Sequence, residues 1–222
     1  MVKEKIHRDL IRSWAANILN ANDASHDITH ADNVFVLSKK ILDSFVSKPE
    51  SLIYDLCYAV SLMHDIFDSK YITKYETGGD CDDGVHNVLY KERMQNMRDI
   101  LTEAGMTENE VEVVASVAPV ISFSKRWKRG VPLLSSEIEL RVYHVVSDAD
   151  MLEALGVVGV MRTFMYQSSK GGNTSEAYEY CAGPLQNRIQ VLHHFWAKEE
   201  GKVRKGLMQS FLAEYARERD IA

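Results

Sequence analysis

The sequence predicts an all-α protein, a single helical bundle interrupted by two long loops. Three observations carry this reading. Apolar residues recur at helical spacing in almost every segment, short alternating strand patterns are scarce, and clusters of turn residues concentrate in two stretches, Tyr71 to Gly84 and Gln167 to Pro184. At 222 residues the chain is long enough to bury a sizeable core as one domain.

Taken in order, Ile6, Leu10, Trp14 and Ile18 place one apolar stripe on a first helix. Val34, Leu37, Ile41 and Phe45 repeat the pattern, and Pro49 follows as a stop signal. Leu52, Leu56, Ala59, Val60 and Met63 form a third stripe, hydrophobic enough for a central buried helix whose end delivers His64 and Asp65. The stretch Tyr71 to Gly84 holds Gly78-Gly79 and the run Asp80 to Gly84, turn chemistry that reads as a long acidic loop. Its place just after a candidate ligand pair makes it either a surface connection or a lid. Helical patterns resume over Val88 to Ala104, Glu108 to Ile121 and Glu137 to Leu155. Gln167 to Pro184, with Gly171-Gly172 and Gly183-Pro184, reads as the second irregular region. Two terminal helices, 185–199 and 202–219, close the chain and are expected to pack on the rest.

The composition narrows the function classes. A net charge of -6 argues against broad nucleic-acid or acidic-membrane binding, while leaving room for a local basic pocket that holds a small anion. No run approaches the roughly 20 apolar residues that span a bilayer. The three cysteines, Cys57, Cys81 and Cys181, lack CxxC spacing and read as reduced thiols, Cys57 in the core and the other two in loops. With no signal peptide evident, a cytoplasmic location is expected.

Four candidate metal ligands stand at the edges of apolar helical segments: His30, the pair His64-Asp65, and Asp148. Two imidazoles and two carboxylates suit an octahedral divalent ion such as Mn²⁺ or Fe²⁺ better than structural Zn²⁺. His30 follows the turn-like segment Asn22 to His26 and opens the next helix. Adjacent residues such as His64 and Asp65 diverge by only about 100° around a helix axis, so both reach one ion. Polar groups ending so apolar a stripe need a partner, and a cation supplies one. Asp148, within Val145-Val146-Ser147-Asp148-Ala149-Asp150, raises the same need, whereas Asp150 points to a different face and reads as a supporting group.

These residues stand in longer motifs: Leu62-Met63-His64-Asp65-Ile66-Phe67-Asp68-Ser69-Lys70, Ile121-Ser122-Phe123-Ser124, and Asp148-Ala149-Asp150-Met151-Leu152-Glu153-Ala154-Leu155-Gly156, continued by Gly159, Arg162 and Thr163. In them the chain resembles the HD-domain metal-dependent phosphohydrolases, in particular the small stand-alone branch of YedJ-like and YpgQ-like proteins. The resemblance runs from about Ser25 to Gly172. It departs from the family pattern at Asp27-Ile28-Thr29 and at Glu153, where an Asp is usual.

The resemblance implies an HD-domain bundle over residues 1–222, with a motif core of about 25–172 and the C-terminal helices 185–219 packed on it. It implies one divalent ion held by His30, His64, Asp65 and Asp148, with Mn²⁺ favoured and Mg²⁺, Fe²⁺, Co²⁺, Ni²⁺ or Zn²⁺ compatible. The implied activity is hydrolysis, by metal-activated water, of a small phosphorylated metabolite, above all a nucleotide, at a phosphomonoester or pyrophosphate bond. A homodimer is compatible with it.

Four such ligands nearly cancel the ion's charge, so other cations must handle phosphate. Lys70 is the first candidate and Arg162 the second, both for substrate binding; Asp65, Asp68 and Lys70 are the candidate catalytic residues, with Asp68 to orient water, hold Lys70 or act as general base. The basic run Lys125 to Arg129 reads as a solvated face, His86 and His144 as core or capping residues, and His193-His194 as terminal packing. Two rivals stay open. One is a metal-containing module that senses a nucleotide without turnover. The other is a di-iron oxygenase using His26, Asp27, Asp68 and His86 as spare ligands.

Overall fold

The structure, a computed structural model, describes residues 6–21, 25–67 and 83–219, with the side chains of 83–87 excepted. Ten α-helices appear among the described residues, and no strand. They are α1 (Arg8–Leu19), α2 (Ile28–Asp43), α3 (Ser51–Met63), α4 (Asp83–Glu103), α5 (Glu108–Val117), α6 (Phe123–Arg129), α7 (Glu137–Glu153), α8 (Gly156–Ser169), α9 (Thr174–Ala182) and α10 (Phe195–Glu218). Short 3-10 turns cover His64–Phe67, Ala118–Val120 and Pro184–Val191.

The centre of the bundle is α2, α3 and α7, each packed on the other two. Helix α3 buries Ile53, Leu56 and every residue from Cys57 to Met63, because α1, α2, α5 and α7 enclose it. An all-apolar helix is stable only in such a position. Its last turn tightens into the His64–Phe67 3-10 segment, so the polar pair emerges from the middle of the core. Helix α7 starts at a capping box in which Ser136 and Glu139 satisfy each other's backbone donors. It then runs through Val142, Val145, Val146 and Ala149, all fully buried, toward the same point.

The expected helices form with some shifts. The centre of the α1 stripe is Ile11, Ala15 and Leu19, fully buried or nearly so, while Leu10, Trp14 and Ile18 lie half-buried on its flank. Gln167 to Pro184 is mostly helical: α8 reaches Ser169 and α9 fills Thr174–Ala182 behind an Asn173/Glu176 capping box. Cys181 is therefore a buried core residue of α9, joining Leu155, Val160, Leu185, Met208 and Leu212 in a second apolar cluster. The helix expected over 185–199 is a 3-10 segment followed by a break at Leu192–His194, after which α10 runs unbroken through the expected 202–219 helix. The basic run Lys125 to Arg129 lies in the short helix α6. The acidic stretch Tyr71 to Gly84 and Cys81 lie outside the described residues, save Asp83 and Gly84, which open α4. No helix among the described residues is long and apolar enough to cross a membrane.

Candidate metal centre

Asp27 caps α2, its carboxylate accepting from Thr29 N and His30 N at 2.9 and 3.1 Å. The cap fixes the first turn and aims the His30 ring into the bundle, where it is 4% exposed. His64 is equally buried, and the two rings meet edge to face with centroids 5.2 Å apart. His30, His64 and Asp65 each offer one ligand atom within 4.8 Å of the others. His30 Nε2 lies 3.4 Å from Asp65 Oδ2 and 3.6 Å from Asp150 Oδ1. His64 Nε2 lies 3.5 and 4.0 Å from the same two atoms.

The second nitrogen of each ring faces a group outside the cluster. His64 Nδ1 donates to the Ser61 carbonyl oxygen at 2.7 Å, which leaves Nε2 as the lone-pair nitrogen of the neutral ring. His30 Nδ1 lies 3.2 Å from Glu153 Oε2. Glu153 is itself held by Arg162 and approached by the Asn33 amide at 3.5 Å. Carboxylate or carbonyl support behind a ring nitrogen is the usual arrangement behind metal-binding histidines. His64 Nε2 and Asp65 Oδ2 are buried without a hydrogen-bond partner, an expensive condition that a cation between them would relieve. The donor set therefore fits a divalent ion.

The electrostatics agree with the geometry. Burial lowers the pKa of His30, and the Arg162 guanidinium lowers it further. Burial opposes charge on His64, yet Asp65 and Asp150 outweigh it and raise its pKa. For Asp65 burial disfavours the ionised form, but His64, His26, His30 and Arg162 hold its carboxyl well below the ordinary range.

The structure does not bring Asp148 to this cluster, contrary to the sequence expectation. Its carboxylate is fully buried one helical face away, accepting from His193 N at 2.9 Å, His194 N at 2.7 Å and His194 Nδ1 at 2.9 Å. Arg126 donates to it at 3.3 Å and to Ser147 Oγ at 2.7 Å. Asp148 thus takes up the free N–H groups at the start of α10, where a carboxylate is favoured. Asp150 occupies the place expected of Asp148. Arg126, read as part of a solvated face, is buried, and His144 stacks on His193 with centroids 3.8 Å apart. Burial, His193 and Arg126 push His144 down to about 4, so its ring is neutral.

Arg162 lines the cleft above the cluster, but its donors are committed: Nη1 to Glu153, and Nε and Nη2 to the Ser25 carbonyl oxygen. Asp68, Lys70 and the side chain of His86 lie outside the described residues. The cleft has two adjoining compartments. One, of about 280 Å³, opens over His30, Asp65 and Asp150 and includes Ser122, Phe123 and Arg188. The other, of about 270 Å³, extends past Arg162 and Arg188 to Thr163, Tyr166 and Gln167. Sequence reasoning missed Asp150 as the cluster's second carboxylate, and missed Tyr180 and Arg188 altogether.

No family model matches the chain. It is 25% identical to the uncharacterized protein YpgQ of Bacillus subtilis over 224 aligned residues, 99% of this chain and 96% of that one. The crystal structure of Bacillus subtilis YpgQ in complex with ADP superimposes with a TM-score of 0.67 at 22% identity, covering 96% and 97% of the two chains. An HD-superfamily hydrolase from Bacillus thuringiensis gives a TM-score of 0.62 at 20% identity, with 97% of each chain covered. The chain has the fold that these two proteins share, the fold that its motifs led one to expect.

Proposed function

We propose that this protein is a divalent-metal-dependent phosphohydrolase acting on a small phosphorylated metabolite, foremost a nucleotide, with Mn²⁺ as the favoured ion. The observation that carries the reading is the convergence of His30 Nε2, His64 Nε2, Asp65 Oδ2 and Asp150 Oδ1 beneath an open cleft, two of these atoms buried without a partner. Nucleotide as the substrate class is supported by ADP in the YpgQ complex and by a two-compartment cleft of nucleotide scale.

A divalent ion held by these residues would supply acidification of water and polarisation of a phosphorus–oxygen bond. The chain supplies the rest. Glu153 and Ser61 orient the two imidazoles so that each directs Nε2 at the ion's place. Asp65, held ionised by its neighbours, contributes negative charge to the ligand set and an acceptor for a proton of the attacking water. Arg162 stiffens the His30–Glu153 pair and lends positive charge to the cleft wall. Asp68 and Lys70, just beyond the His64–Phe67 turn in sequence, are assigned to proton handling and to neutralising the departing phosphoryl group.

The test is a nucleotide panel assayed for phosphate and pyrophosphate release with Mn²⁺, Mg²⁺, Co²⁺ and Ni²⁺. Metal-dependent turnover, abolished by chelation and by His64→Ala, supports the reading. Tight nucleotide binding without turnover under any of these ions would replace it with a sensing module.

A further inference from the structure

The cleft contains an arginine that the ligand set does not use. Arg188 lies in the Pro184–Val191 3-10 segment, whose sequence contains no carboxylate. It lines both compartments, so it stands where the metal end of the cleft passes into the aromatic end.

Two arginines line this cleft, and one of them, Arg162, is already neutralised by Glu153. Arg188 makes no ion pair with a carboxylate among the described residues. Its guanidinium instead rests on the Phe123 ring, 4.5 Å from the centroid, and Nη1 donates to Tyr180 Oη at 3.2 Å. A guanidinium has five N–H donors, so most of its fork is not taken by Tyr180. Stacking on one ring and bonding to a second hold it in place before any ligand arrives. Such preorganisation lowers the entropic cost of gripping an anion.

The charge balance points the same way. With a divalent ion in place, two neutral imidazoles and two carboxylates leave the metal end near neutral, so it attracts a phosphate weakly from solution. Around that end the cleft wall offers Ser122 and Ser124 hydroxyls, His26, the committed Arg162 and the uncommitted Arg188. Of the arginines, only Arg188 combines a place on the wall with free donors among the described residues.

We propose that Arg188 binds the substrate's phosphate oxygens. Tyr180 and Phe123 act as positioning residues that hold its guanidinium across the boundary between the two compartments. The proposal rests on the phosphohydrolase reading for the identity of the anion, but it is separable from turnover. It also explains why Phe123, in the Ile121–Ser124 segment that the sequence singles out, faces the cleft: its ring is the platform for the guanidinium.

The experiment measures binding of ADP, inorganic pyrophosphate and inorganic phosphate to the full chain with Mn²⁺, by titration calorimetry. It compares wild type with Arg188→Gln, Arg188→Lys and Tyr180→Phe, with bound Mn²⁺ and thermal midpoint recorded for each. Losing charge-assisted hydrogen bonds to phosphate costs about tenfold or more in affinity. Arg188→Gln should therefore weaken ADP and pyrophosphate by about tenfold or more while Mn²⁺ content is unchanged. Arg188→Lys, which keeps the charge but not the fork, should fall between, and Tyr180→Phe should weaken the anions without touching the metal.

Where turnover is measurable, KM should rise in Arg188→Gln more than kcat falls, a split that a packing role would not produce. ADP and pyrophosphate bound by Arg188→Gln within twofold of wild type overturn the proposal, as does a wild type that binds none of the probes. If Arg188→Gln does not fold, Arg188→Lys decides, and wild-type affinity in that variant is the contrary result. Arg188-dependent binding without turnover refutes the hydrolase reading alone; turnover with Arg188-independent binding refutes this proposal alone.

Discussion

Asp148 and Asp150 show what two residues on one helix turn decide. They are separated by about 200° around the α7 axis, so they serve different neighbours. The sequence makes plain that this apolar helix must satisfy buried carboxylates, but the partner of each depends on which elements pack there. Asp148 is the more buried of the two and meets Arg126 together with the start of α10, groups more than twenty residues away in sequence. His30, His64 and Asp65 were legible because each ends or opens a segment whose apolar face fixes its direction.

A consequence follows for mutation. Asp148→Ala leaves the Arg126 guanidinium and the α10 N–H groups without their acceptor. It should lower stability by about 3–5 kcal/mol in chemical denaturation. At a pH above the folded pKa of His64, Asp150→Asn should leave the denaturation midpoint of the metal-free protein nearly unchanged, because Asp150 then faces no buried cation.

The pH dependence of metal uptake is also set at this scale. His64 has a folded pKa raised above its ordinary 6.5, so protonated His64 stabilises the metal-free protein below that value. The stabilisation is lost as pH rises through the folded pKa. Ligation needs the neutral ring, so Mn²⁺ must displace that proton, and apparent affinity should climb with pH across the same window. Calorimetry in buffers of different ionisation enthalpy should show proton release on Mn²⁺ binding below pH 6.5, diminishing once the pH passes the folded pKa. No release below pH 6.5 would contradict the assignment of His64.

At the scale of elements, long and strongly periodic helices were readable, and short or irregular ones were not. Gly171-Gly172 and Gly183-Pro184 do break the chain, but the Asn173/Glu176 capping box between them starts α9, and burial of Ala177 and Cys181 holds it. The cap signal was present in the sequence; the burial that makes so short a helix stable came from α8 and α10. Helix α6 escaped notice because its charged residues mask the inward turn of Arg126.

The α7–α8 corner is built on two glycines. Gly156 has φ +84°, the left-handed region that favours glycine, and a Cβ on Gly159 would collide with the Ala154 carbonyl oxygen. Since that obstacle is backbone, Gly159→Ala must shift α8 against α7. A loss of about 1–3 kcal/mol in denaturant unfolding is expected, with weakened Mn²⁺ binding because Glu153 ends α7 beside it. An unchanged midpoint would show that the corner relaxes freely.

Across the whole molecule, three distant stretches of chain are brought to one point: the start of α2, the turn after α3 and the last turns of α7. The all-α class followed from periodicity, and the motif order pointed to the fold that YpgQ and the Bacillus thuringiensis hydrolase share. What sequence did not reveal is the far side of the cleft, because Tyr180 and Arg188 come from the C-terminal third, beyond the motifs. The acidic net charge of the chain likewise gave no hint of the arginines gathered along that cleft. The most direct test of the metal centre is anomalous diffraction at the manganese edge from crystals grown with Mn²⁺. The account predicts one strong peak among His30 Nε2, His64 Nε2, Asp65 Oδ2 and Asp150 Oδ1. A peak at Asp148, or none at this cluster under saturating Mn²⁺, would contradict it.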